Sequence, residues 1–202
     1  MTDSYWTIDQ SAQVEIKVKG SRFLGFAARA SNKEQAERIV SERSERYFDA
    51  THNCFAYVVG LDAAGPFRYS DDGEPSGTAG RPILDAIQGR GLTETVCVVT
   101  RYFGGTKLGT GGLVRAYGRC AQETLDACRI VQRFRTRRFR LRFAYELTGS
   151  VMPVLSKYQA AVRDTQYGEE TVLDVEVRLS LAGRLEEAIR NGSGGRVSIQ
   201  TR

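Results

Sequence analysis

The feature that most limits how this chain can fold is the run from Thr95 to Phe103, which is apolar almost without interruption. A strand that alternates apolar and polar residues can leave one face in water, but a continuous run cannot. It predicts a central strand covered on both faces of its sheet. The run then passes straight into Gly104-Gly-Thr-Lys-Leu-Gly-Thr-Gly-Gly112 and a helical pattern in which Leu113, Tyr117, Cys120 and Thr124 fall on one side. Strand, glycine loop and helix therefore form one unit, and the rest of the chain has to be arranged around it.

Glycine lets backbone approach a ligand or adopt positive φ without a Cβ clash. The first amides of the following helix have no intrahelical acceptor, and the helix dipole favours negative charge there. Arg101, Lys107 and Arg115 flank that point. The predicted anion-binding set is thus Arg101, Gly104, Gly105, Lys107, Gly109, Gly111, Gly112 and Arg115. The same glycines would also serve a turn that packs a strand closely against a helix. No standard nucleotide motif is met. Gly104 to Gly109 has P-loop spacing, but Thr110-Gly111 stands where Lys-Ser/Thr is required. A Rossmann fingerprint lacks its third glycine, since Gly109-Thr-Gly111 is followed by Gly-Leu-Val114.

Ahead of this unit, Ala12–Lys19 alternates as a strand and Arg22–Ala30 returns as a second. Ser31-Asn-Lys-Glu34 reads as a capping box opening a helix to about Phe48, with Ala36, Ile39, Val40 and Tyr47 inward. Asn53–Leu61 is an apolar strand, Asp62-Ala-Ala-Gly-Pro66 a turn, and Phe67–Ser70 a short strand. The following loop carries Asp71, Asp72, Glu74, Thr78 and Arg81, assigned to the same surface as the glycines. Three carboxylates within four residues could hold Mg²⁺ or supply a general base, and could equally be turn residues. Arg81-Pro82 opens a short helix. His52, the one histidine, and Cys54 share a strand face; with no cation beside Cys54 in sequence, a structural pair is expected rather than a nucleophile. No catalytic residue and no metal site is assigned.

Composition shifts near residue 133, where arginines crowd, giving two domains over residues 1–133 and 134–202. In the second, Phe139, Leu141 and Phe143 alternate with Arg138, Arg140 and Arg142, a strand with an apolar face and a basic face. That face is a secondary candidate for phosphate binding, unless Asp174 and Glu176 neutralise it. The downstream order, β-α-β-β-α-β, is ferredoxin-like. Four cysteines without C-x-x-C spacing, no secretory signal and no long apolar segment point to a cytoplasmic protein with no membrane association. A net charge of +5 favours an acidic partner.

The segments Gly20-Ser-Arg-Phe23, His52-Asn-Cys54, Tyr69 to Gly80 and Arg101 to Gly118 resemble the YigZ/IMPACT family, in its bacterial branch, over roughly residues 12–128. The resemblance implies an α+β protein. Its N-terminal domain would be similar to the second domain of the fifth small-subunit ribosomal protein and to domain IV of elongation factor G. Its C-terminal domain would be ferredoxin-like βαββαβ. Eukaryotic members modulate translation by competing for the activator of an amino-acid-starvation kinase. The expectation is a non-catalytic regulator that binds RNA, the ribosome or a translation-regulatory protein, without a cofactor. Two alternatives stand beside it: a pure protein-interaction module, and, because small-molecule kinases of the GHMP type share the N-terminal fold, an enzyme acting on a phosphorylated small molecule with Mg²⁺ on the acidic loop. Oligomeric state is not legible.

Overall fold

The computed structural model describes residues 3–61 and 65–202, so part of the turn expected at residues 62–66 lies outside the described residues. The chain separates into two compact units. One is Tyr5–Arg133, and the other comprises Phe134–Arg202 with Asp3 and Ser4.

In Tyr5–Arg133 the elements are β1 (Ser4–Gln10), β2 (Ala12–Val18), β3 (Ser21–Arg29), α1 (Lys33–Arg46), β4 (His52–Val58), β5 (Phe67–Ser70), α2 (Gly80–Gly89), β6 (Thr95–Tyr102), α3 (Thr110–Ala127) and β7 (Arg129–Phe134). Five of them form an antiparallel sheet in the order β2-β3-β6-β4-β5. The apolar run lies at its centre as β6, buried from Thr95 to Arg101. Because side chains alternate along a strand, Cys97 and Val99 enter one core with Ile83, Ile87, Tyr117, Cys120 and Leu125 from α2 and α3. Val96 and Val98 enter a second core with Ala36, Ile39 and Val40 of α1. Helices therefore cover both faces, as the run requires.

Two sequence expectations need correction here. The α1 cap is shifted by one residue. Asn32 is the N-cap, its Oδ1 accepting the Gln35 amide at 2.9 Å, while Gln35 Oε1 accepts the Ser31 amide at 3.0 Å. Asn and Gln fill the two cap positions as well as Ser and Glu do. The helix also buries Arg43, stacked on Phe26 and Tyr47, whereas Phe48 is exposed. Strands β1 and β7 carry no clean alternation that announces them in the sequence. They pair as a separate two-stranded ribbon, with Asp9 reaching Arg133 at 3.0 Å.

The second unit runs β8 (Thr136–Phe143), a 3₁₀ turn (Tyr145–Leu147), α4 (Thr148–Lys157), β9 (Ala161–Tyr167), β10 (Thr171–Arg178), α5 (Leu179–Gly192) and β11 (Ser198–Thr201). Its antiparallel sheet has the order β11-β8-β10-β9, the ferredoxin-like arrangement. Phe139, Leu141 and Phe143 join Leu173, Val175 and Val177 under Val151 and Leu155 of α4 and Leu185 and Ile189 of α5. Among the described residues no helix is long and apolar enough to cross a membrane.

Candidate functional site

The site forms where β4, β6, the loop after β5 and the start of α3 meet. β6 delivers Arg101 with the side-chain parity of Cys97 and Val99, so its guanidinium turns inward and is only 5% exposed. Arg101 Nη1 donates to Glu74 Oε1 at 2.6 Å, and Nη2 approaches Ser21 Oγ at 3.4 Å. The guanidinium also lies 5.6 Å from the Phe23 and Phe103 ring centres. Arg101 is therefore a buried ion-pair partner, which corrects its expected place among the surface cations.

Glu74 is held from two sides, since Tyr117 also donates its hydroxyl to Oε1 at 2.8 Å. Burial, followed by Cys54 and Glu74, pushes the Tyr117 phenol far above its usual range, so it keeps the proton it donates. Glu74 Oε2 receives no hydrogen bond among the described residues and lies 3.9 Å from His52 Nε2. The other imidazole nitrogen is engaged, because His52 Nδ1 sits 2.7 Å from the Asp72 carbonyl oxygen. A carbonyl only accepts, so Nδ1 carries the proton and Nε2 faces Glu74. Cys54 shares this strand face but donates to the Asp71 carbonyl at 3.0 Å and meets the Tyr117 hydroxyl at 3.4 Å. Burial raises its thiol well above the ordinary range, so it is a structural residue and no nucleophile.

The three loop carboxylates go to separate partners. Asp71 accepts the amides of Gly77, Ala79 and Gly80 at 2.8, 2.9 and 2.8 Å, and so caps α2, which lacks a cap of its own. Asp72 accepts the Asn53 amide at 2.6 Å, and Glu74 turns inward to Arg101. Thr78 is buried and donates to the Pro75 carbonyl. Arg81 pairs with Asp85 along α2. The convergence of Asp71, Asp72 and Glu74 that the Mg²⁺ alternative needs is not formed. Among the described residues no cluster of three His, Cys, Asp or Glu side chains is placed to hold a metal ion.

The glycine loop divides by role. The Phe103 amide donates to Thr51 Oγ1 and the Gly104 amide to Ser21 Oγ, at 3.0 and 3.1 Å. A Cβ on Gly104 would sit 1.9 Å from the Gly20 carbonyl carbon, so this glycine lets the β2–β3 turn press against the loop and is not a ligand contact. Gly109, at φ 70°, ends the loop and gives α3 no side-chain cap. The amides of Thr110, Gly111 and Gly112 then start the helix with no acceptor among the described residues. These free amides are what remains of the wider cradle expected from the sequence.

A cavity of about 310 Å³ opens beside them, lined by His52, Glu74, Arg101, Phe103, Lys107, Gly109 and Thr110 among others. Of the predicted residues, Glu74, Arg101, Lys107 and Gly109 come together on it. Arg115 faces a different hollow with Lys19 and Arg119, although its Nη1 lies 3.4 Å from where a Gly111 Cβ would be. His52, Phe103 and Thr110 line the cavity without having been assigned to it. The parity of His52 with Cys54, Ala56 and Val58 was the available signal.

On the second unit's sheet, Arg140 forms a two-pronged pair with Asp174, both contacts at 2.7 Å, and Arg138 lies 3.7 Å from Glu176. Arg163 and Arg202 add further pairs to the same two acids. Four arginines thus share two carboxylates, and the basic face is only partly neutralised. Arg142, opposite Val172, has no carboxylate beside it among the described residues.

Comparison with known proteins agrees with this architecture. Residues 19–125 match the Impact N-terminal domain, and residues 141–196 match a domain of unknown function (DUF1949). "IMPACT family member YvyE" of Bacillus subtilis is 34% identical over 200 residues, covering 99% of this chain and 92% of that one. "IMPACT family member YigZ" of Escherichia coli is 30% identical over 196 residues, covering 96% of each. A solved structure titled "Crystal structure of an hypothetical protein" superposes with a TM-score of 0.74 at 28% identity, covering 100% of this chain and 98% of that one. With both domains matched in order and relatives aligned along nearly its whole length, the chain belongs to the IMPACT family.

Proposed function

We propose that this protein is a translation-associated regulator that binds RNA, on the ribosome, through the start of α3, acting in the cytoplasm as a binding protein and not as an enzyme. The observation that carries the reading is the uncapped, glycine-built start of α3, with Lys107 on one side and Arg115 on the other. Free amides at a helix start and two nearby cations are a receptor for phosphate oxygens. The overall charge of +5 acts in the same direction. Family membership supports the translational setting, and the divergent Asp71, Asp72 and Glu74 side chains remove the support for a kinase-like alternative.

The test is co-sedimentation with ribosomes at graded salt. Replacing Lys107 and Arg115 together by Ala should weaken association and flatten the log–log salt dependence by about 1.4–1.8, at 0.7–0.9 for each lost phosphate contact. Unchanged affinity with an unchanged slope would refute the assignment of this surface.

A further inference from the structure

The cavity beside α3 holds more than phosphate binding requires. Its inner wall presents Glu74, whose side chain is 4% exposed, with Oε2 lacking a hydrogen bond among the described residues. Next to it stands His52 Nε2, a bare acceptor in the neutral imidazole because Nδ1 is engaged by Asp72. At 3.9 Å the two atoms are too far apart to satisfy each other, and with the imidazole neutral both are acceptors that a ligand carrying two donors would fill. Lys107 and Thr110, the first residue of α3, line the same cavity, and the half-exposed Phe103 supplies an aromatic wall.

We infer that the cavity takes one ribonucleotide unit. The phosphate lies against Lys107 and the first amides of α3. The vicinal ribose hydroxyls donate to Glu74 Oε2 and His52 Nε2, and the base packs on Phe103. A carboxylate receiving ribose hydroxyls while a helix start receives the phosphate is a physically sound division of labour. A volume of about 310 Å³ is at the small end of ligand cavities, suited to one nucleotide. The inference rests on the RNA reading above and narrows it to a single nucleotide. The same chemistry is offered by a free nucleoside monophosphate and by a 5′-phosphorylated RNA end.

Calorimetric titration tests it with adenosine 5′-monophosphate, its 2′-deoxy analogue and inorganic phosphate. The monophosphate should bind saturably and the deoxy analogue roughly tenfold more weakly, as loss of one charge-assisted hydrogen bond implies. Lys107→Ala should cost a similar factor, and phosphate alone should bind weakest. A 5′-phosphorylated oligoribonucleotide that displaces the monophosphate, where its 5′-hydroxyl counterpart does not, identifies an RNA end as the source. Failure of both to displace it identifies the free nucleotide. Equal affinity for the ribo and deoxy forms, phosphate binding as tightly as the nucleotide, or no binding would each overturn the inference. If nucleotide binding fails while Lys107→Ala with Arg115→Ala still flattens the ribosome salt dependence, only this inference falls.

Discussion

Replacing Arg101 by Met tests whether the site is organised around a buried ion pair. The pair is short, 2.6 Å, and its two side chains are 6% and 4% exposed. Removing the guanidinium while keeping comparable bulk leaves Glu74 with the Tyr117 hydroxyl as its one hydrogen-bond donor. An uncompensated buried charge of this kind costs about 3–5 kcal/mol. At roughly 2–4 °C per kcal/mol for domains of this size class, melting should fall by about 10 °C. The informative comparison is Arg101→Met with Glu74→Gln, which removes the orphaned charge but keeps the hydrogen-bonding shape. The double variant should recover about 2 kcal/mol or more relative to Arg101→Met alone, within the range measured for contacting residues. Urea denaturation followed by tryptophan emission is the assay. The single tryptophan, Trp6, belongs to the same unit and reports on it directly. A loss under about 1 kcal/mol, or no recovery in the double variant, would show that charge compensation does not hold the cavity wall and would refute the reasoning.

Two further outcomes follow from the same geometry. Gly104→Ala places a Cβ 2.2 Å from the Gly20 carbonyl oxygen and the Ser21 amide, backbone that no rotamer change can clear; it should destabilise by about 3 kcal/mol in calorimetry, and a change under about 0.5 kcal/mol would show that the turn and loop are not pressed together. At Asp71, desolvation pulls the carboxyl pKa up, but the amides of Gly77, Gly80 and Ala79 outweigh it and hold it below the usual 3.8. A depressed folded value means stability that is present above pH 3.8 and lost as pH falls through that lower value. Asp71→Asn removes the charge at the start of α2 and one of the two accepting oxygens, and should therefore cost about 1 kcal/mol at neutral pH, with the gap to the unsubstituted protein closing in acid; a gap independent of pH would contradict the cap.

Much of the fold was readable because its signals are local. The apolar run of β6 and the spacing of Leu113, Tyr117, Cys120 and Thr124 along α3 each announce one element and one face. Strand β1 was not readable in the same way, since its partner β7 lies more than a hundred residues further on and neither strand alternates cleanly. Within the site, period-two parity already placed Arg101 beside Cys97 and Val99, and His52 beside Cys54, on the inward face. Reading Arg101 by its charge instead of its parity put it on the surface. The identity of its partner could not be foreseen, because Glu74 reaches it from a loop whose path depends on Asp71 capping α2. Likewise, alternation set Arg138 and Arg140 on one face, but it is the register against Glu176 and Asp174 that sets how far their charge is cancelled.

The ribbon of β1 and β7 has a mechanical consequence. The Arg135 amide bonds to the Asp3 carbonyl at 2.7 Å, just outside the paired strands, so the backbone enters and leaves Tyr5–Arg133 at a single point. Tension transmitted along the chain from either side is taken up by the rungs between these two strands. β1 also grips the segment that leads into β6, since the Trp6 carbonyl accepts the Thr93 amide at 3.0 Å, so the same load is felt at the centre of the five-stranded sheet.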